Sequence, residues 1–222
     1  MASLRVSHNC RHVDRQRLTR LAVATPRRAV MVSTQASLQT QQYTRVQLKT
    51  RQDCELAVSF YPRFRYNALG GGGWGTVTDV GDGKLHLSFD TSVLVIPDMS
   101  YRTAFLMGLL PIPPPLNIAI RPVSLEGILD TVTGEVNLNF ESDFYFTAGT
   151  IYQPPGLKIR TVLTTESTRG RFLSASGRRL VGSSGVLVGT ATVEAVGDGF
   201  MDTFLQLPND ALAVMSCDFV FE

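Results

Sequence analysis

Gly70, Gly72 and Gly75, in the stretch ALGGGGWGTV (68–77), satisfy the G-x-G-x-x-G spacing with which a dinucleotide-binding loop brings backbone N–H groups against a pyrophosphate. That chemistry needs a strand before the loop and a helix after it, because the helix N-terminus supplies the free amides and the positive dipole end. Here TVTDV follows, an alternating strand pattern, and no G-K-[ST] ending makes a P-loop. The glycines are therefore expected to form a turn or bulge, with no nucleotide cofactor.

Other reactive side chains are as sparsely placed. His86 is the one histidine after residue 36, and no G-x-S-x-G occurs, so a Ser-His-Asp triad would have to use that single imidazole. His86 alternates with Leu85 and Leu87, which reads as a solvent-facing strand position. Glu141 and Asp143 put two carboxylates on one strand face opposite Phe140, Phe144 and Phe146, the pattern of a solvated face. The two VGDG stretches, Val80 to Gly83 and Val196 to Gly199, lack the spaced oxygen donors of a calcium loop and read as hairpin turns. Cys54 and Cys217 have no C-x-x-C spacing and are expected to pack as small buried thiols. No catalytic residues, metal or cofactor are expected, and the chain is read as not an enzyme.

Two features point to binding. Residues 158 to 179 carry Lys158, Arg160, Arg169, Arg171, Arg178 and Arg179 against Glu166 alone, a formal +5. Gathered on one face, they would suit an anionic lipid surface or an acidic partner; the acidity of the rest of the domain and the lack of interleaved aromatics argue against nucleic acid. The second feature is the apolar, proline-rich stretch AFLMGLLPIPPPL (104–116), with a smaller counterpart TIYQPPGL (150–157). Loops run over the surface, so one this apolar must cover the core, line a cavity or meet a membrane or partner. Trp74, Phe105, Met107, Leu110 and Tyr152 are the expected ligand-lining residues.

The elements that would position these residues are strands. Period-two alternation recurs after residue 43, in RVQLKT (45–50), ELAVSF (55–60), GTVTDV (75–80), KLHLSFD (84–90), SVLVIP (92–97) and NIAIRPVSLEGIL (117–129). It continues in GEVNLNFESDFYF (134–146), LKIRTVLTT (157–165), GRFLSAS (170–176), GVLVGTATVEA (185–195) and AVMSCDFVFE (213–222). Residues 99–108 and 199–207 break the pattern and read as short helices, too short for the crossover of a βαβ unit. The fold class expected is all-β, a single antiparallel barrel or two-sheet sandwich with one or two short helices. Pro111, Pro113, Pro114 and Pro115 interrupt the uncharged run from Thr103 to Ile120, so no transmembrane segment is expected.

The chain divides by charge near residue 36. Residues 1–36 hold seven Arg, no Lys and one acid, Asp14, whereas residues 37–222 hold 14 Lys plus Arg against 18 Asp plus Glu. An Arg-rich, acid-poor leader without an apolar core has the composition of an organellar transit peptide. The expected organisation is thus a chloroplast transit peptide over 1–36, a linker or first strand over 37–52 and an all-β domain over 53–222. The expected destination is the chloroplast stroma, with a place peripheral to the thylakoid as one form of it and the mitochondrial matrix as the alternative.

The order IPDM, FLMGLLPIPPPLNIAIRP, LEGILDTVTGEVNLNF and FLQLPNDALAVMSCDFVF resembles an uncharacterised family of plastid-targeted proteins of green algae and plants with cyanobacterial relatives, over most of residues 53–222. The resemblance implies a chloroplast address and no activity. Lipocalin-like β-barrels are an analogy of fold alone. Taken together, the expected function is non-catalytic binding of an apolar ligand, lipid or pigment-like. The alternative is an assembly or scaffold protein docking on the thylakoid membrane or a photosynthetic complex.

Overall fold

Alternating side chains let a strand bury one face and wet the other, and the chain uses that pattern almost throughout. The computed structural model describes residues 43–222; the expected leader and the start of the linker lie outside the described residues. The first half holds β1 (Arg45–Thr50), β2 (Cys54–Val58), β3 (Phe64–Tyr66), β4 (Gly72–Gly81), β5 (Lys84–Phe89), β6 (Ala104–Leu106), β7 (Leu110–Pro111) and β8 (Leu116–Asp130). The second half holds β9 (Val136–Ala148), β10 (Leu157–Thr164), β11 (Ser167–Arg169), β12 (Ser174–Ser176), β13 (Arg178–Val181), β14 (Ser184–Val193), α1 (Gly199–Phe204) and β15 (Asn209–Phe221). Every pairing is antiparallel, and the described chain is all-β with one short helix.

The main sheet is ring-like. Its order β14-β10-β9-β8-β5-β4-β1-β15 returns to its start because β15 also pairs with β14, over ten residue pairs from Ser184↔Asp218 to Val193↔Asn209. On its other edge β15 divides its partners: residues 217–221 pair with β1, and residues 211–214 pair with β2. From β2 the sheet continues through β3, β6 and β7, and a bridge between Met99 and Ile118 brings this side back to β8. One end of the ring is thus walled by β1, β4 and β5, the other by β2, β3 and β6.

Strand β8 serves both ends. Its lower half pairs with β5, and its register with β9 shifts between Pro122 and Ser124. Pro122 has no N–H to give a ladder, and an extra residue at that point lets the strand bend between its two sets of neighbours.

At the closed end, Val46, Leu87, Val136, Leu138, Leu187 and Phe219 form the centre of a solid core. Towards the other end the apolar residues separate into two clusters that share Leu116, Ile118 and Phe144. Cys54 and Cys217 are buried free thiols, with Cys217 pushed up to about 12 by burial.

Several expected elements differ. Residues 99–108 form no helix: Thr103 Oγ1 bonds Asp98 O at 2.7 Å and Ser100 N at 2.9 Å, stopping the chain after one turn. A positive φ of 51° at Met107 then reverses it, so that β6 pairs with β7. The stretch 92–97 supplies only the bridge from Val95 to Gly72. Residues 170–176 contain the tip and second strand of the β11–β12 hairpin. Val80 to Gly83 makes the expected β4–β5 turn, whereas Val196 to Gly199 leads into α1, because the Asp198 side chain caps that helix.

The glycine motif resolves as strand pairing. Gly72 has φ +116° and sits so close to β1 that an added Cβ would fall 1.9 Å from Leu48 O; Gly70, at φ +86°, has open space. Gly72→Ala is therefore expected to cost about 2–5 kcal/mol from positive-φ strain plus backbone displacement. Gly70→Ala should cost only about 1–2 kcal/mol. Urea unfolding of the two variants checks the order; equal losses would contradict it.

Candidate functional site

Small side chains on the inner faces of adjacent strands leave space that large ones would fill. Gly189 and Ala191 on β14, Ala211 and Ala213 on β15 and Ala57 on β2 meet Phe140, Phe144 and Phe146 of β9 across a cavity of about 150 Å³. A second cavity of about 80 Å³ lies towards the closed end, and the two share Leu56, Phe140, Phe144 and Ala213 as walls. The hollow thus begins where the solid core stops.

The wall of the larger cavity is apolar, and its two hydroxyls are already engaged. Thr161 Oγ1 donates to Thr190 O at 2.7 Å, and the Tyr61 hydroxyl donates to Phe204 O. A buried water needs roughly two to four polar partners, and none is offered here. Leaving such a space empty is costly: at about 24 cal/mol per Å³, a cavity of 150 Å³ forgoes on the order of 3–4 kcal/mol of packing.

A lid closes one side. Helix α1 buries Met201, and Phe204, Leu205 and Leu207 at and after its end line the cavity. Asp198 holds its start: Oδ1 accepts from Met201 N at 2.8 Å and from the Tyr152 hydroxyl at 2.5 Å. Those two bonds, the tyrosine's first, hold the Asp198 carboxyl below the usual aspartate range. Tyr152 is itself pushed up to about 12, by burial first and then by the bond to Asp198, and so remains the donor. Beyond the helix, Asn209 Nδ2 donates to Leu205 O at 2.6 Å, while its buried Oδ1 has no partner.

Of the residues expected to line a ligand, Tyr152 belongs to this lid through its hydrogen bond rather than to the cavity wall. Trp74 lies on β4 with the Arg45 guanidinium 4.5 Å over its ring, and is not part of either cavity. Phe105 is half-buried, Met107 and Leu110 are exposed, and none of the three reaches a cavity. The proline-rich stretch does contribute, through Ile112, which is buried against the larger one. Ile112 sits between two prolines where no periodicity announces its direction. A better signal was the run of small residues at alternate positions in GTATV and ALAV.

The six basic residues divide between the two ends of the ring. Arg178 and Arg179 lie on β13, where Arg179 Nε binds Glu166 at 2.5 Å and its Nη2 lies 3.3 Å from Glu135. Lys158 and Arg160 point outward from β10, Arg160 to Glu141 at 2.7 Å. Arg169 and Arg171 are on the β11–β12 hairpin, which runs along β14 towards the lid end. His86 is a half-buried side chain on β5, flanked by inward-facing Leu85 and Leu87. No family model, no curated protein and no solved structure matches this chain. What the fold and site define is an all-β protein with a ring-like sheet that is solid at one end and hollow and apolar at the other.

The lid has a pH signature. Because folding lowers the Asp198 pKa, its cap is complete above the ordinary aspartate value of about 3.9 and is lost as pH falls through the lower folded value. Protection of the Met201 amide from exchange, corrected for intrinsic rate, should be flat from pH 8 to 5 and collapse only below about pH 4. In Asp198→Ala it should be weak already at pH 7; unchanged protection there would exclude the cap.

Proposed function

We propose that this protein is a non-catalytic carrier of an apolar ligand, a lipid with a single acyl or prenyl chain, held inside the hollow end of the sheet. The observation that carries the reading is the cavity of about 150 Å³ whose wall offers no free polar group. A cavity of about that size in a protein interior stays dry and accepts a benzene-sized apolar guest. Such a volume suits a chain segment, with the rest of the molecule leaving beside Phe204, rather than a bulky pigment. Filling it recovers the packing that the empty space forgoes, at about 25 cal/mol per Å² of apolar surface removed from water.

Specificity in this reading is by shape. The phenylalanines of β9 give a flat aromatic wall, and the small residues of β14 and β15 give the opposite side its depth. Both wall hydroxyls are committed to main-chain carbonyls, which supports binding rather than turnover. The ring-like sheet makes the arrangement comparable to a small ligand-binding β-barrel, and the Arg-rich leader supports a chloroplast stroma as its place of work.

The test is titration of the full chain with cis-parinaric acid, a fluorescent single-chain fatty acid. Saturable binding near one per chain is expected. Ala191→Phe and Ala213→Leu, which fill the cavity, should each weaken it at least tenfold, about 1.4 kcal/mol. Phe105→Asp and Met107→Asp, outside the cavity, should leave it within twofold. Undiminished binding in both filling variants would overturn the proposal.

A further inference from the structure

The surface around the lid also carries large apolar side chains. Four aromatic rings form a continuous path: Tyr61 lies 5.7 Å from Phe204, Phe204 stacks on Phe200 at 5.7 Å and 5°, and Phe200 meets Tyr152 at 5.2 Å. Next to Tyr61 in sequence, Phe60 packs at 5.3 Å on Phe172, at the tip of the β11–β12 hairpin. Phe60 and Phe200 are each more than 60 % exposed, and Ile151, one residue before Tyr152, is 92 % exposed. The β6–β7 turn adds Met107 and Leu109 beside Arg63, whose carbonyl accepts from Met107 N at 2.9 Å and whose Nη2 reaches Ser174 O at 3.4 Å. Monomeric proteins rarely leave so many large apolar groups together in water.

Charge distinguishes the candidate partners. The Arg171 guanidinium lies 4.9 Å over the Phe172 ring, and neither Arg171 nor Arg169 has a carboxylate partner among the described residues. The nearby carboxylates are mostly turned to the protein's own backbone: Asp198 caps α1, Asp202 accepts from Val196 N and Gly197 N, and buried Asp210 accepts from Phe172 N. Glu194 is the exposed acid at the end of β14. Aromatic and aliphatic side chains at a tip with arginines beside them match the boundary of an anionic bilayer, where rings sit at headgroup level and guanidiniums meet phosphate.

We propose that this rim, from Phe172 and Phe60 across α1 to Ile151, docks on the surface of an anionic lipid bilayer. Resting on the carrier reading, docking places the lid against the membrane, so that a lipid chain passes between bilayer and cavity without crossing water. Arg169 and Arg171 supply attraction and the rings supply insertion.

The Arg-rich leader carries seven arginines and is itself attracted to anionic vesicles, so the readout must report which face meets lipid. Full-length Phe200→Trp and Val132→Trp, each in a Trp74→Phe background, would be mixed with phosphatidylglycerol-containing vesicles brominated in the acyl chains. Val132, at the turn between β8 and β9, is 81 % exposed at the opposite end and serves as the control. Quenching at least threefold greater for Phe200→Trp is expected, falling when Arg171→Glu is added. Equal quenching of the two, or none, would overturn docking, as would loss of rim exposure through self-association seen by sedimentation. Parinaric acid binding by the same variants separates the two ideas: retained uptake without rim quenching removes docking and leaves the carrier, while rim quenching without uptake removes the carrier and leaves a membrane-bound protein.

Discussion

Strand β15 is the seam on which the molecule depends. Its main chain must be hydrogen-bonded along both edges, and it satisfies one edge against β14 while dividing the other between β1 and β2. That division is what gives the ring two ends of different character. Where β1, β4 and β5 wall it, large aliphatic side chains meet and exclude solvent; where β2, β3 and β6 wall it, the facing residues are too small to meet. Arg51 reinforces the division point, forming paired bonds to Asp218 at 2.7 and 2.6 Å and holding that carboxyl below its ordinary range.

From that constraint the site follows. A solid core at one end supplies the cooperative stability that lets the other end carry an unfilled volume, because protein interiors are otherwise packed to crystal-like density. Helix α1 lies against that volume. It is a six-residue helix, too short to persist alone, held by one capping carboxylate, one tyrosine hydroxyl and a few buried side chains. Where the chain leaves the helix for β15, Asn209 Nδ2 donates to Leu205 O at 2.6 Å. The cavity and the helix beside it thus occupy one small region, apart from the closed end.

Much of this was legible from the residues. Alternation alone located β1, β5 and β10 almost to the residue, and identified β9 as a strand with Phe140, Phe144 and Phe146 on one face and Glu141 and Asp143 on the other. The strand expected after the glycine run is present as β4. Short strands such as β3, β6 and β7 were not legible, since two or three residues show no period and are fixed by their partners. Met99 to Gly108 misled because its apolar density resembles a helix while Ser100 and Thr103 terminate it locally. The cavity was expected at other residues for a different reason: an apolar stretch announces itself by large side chains, whereas this cavity is made by small ones, and Gly189, Ala191 and Ala213 look unremarkable until the registers place them opposite phenylalanines.

The proposed carriage of a lipid would place an apolar chain between these small residues and the β9 rings. It is tested most directly by NMR of the full-length protein with labelled methyl groups and a ¹³C-labelled fatty acid. Contacts from the acyl chain to Ile112, Ile159 and Leu205 methyls, with none to Leu87 or Val136 at the closed end, are the predicted result. Contacts confined to surface methyls such as Leu109 and Leu110, or no contacts at saturating ligand, would contradict it.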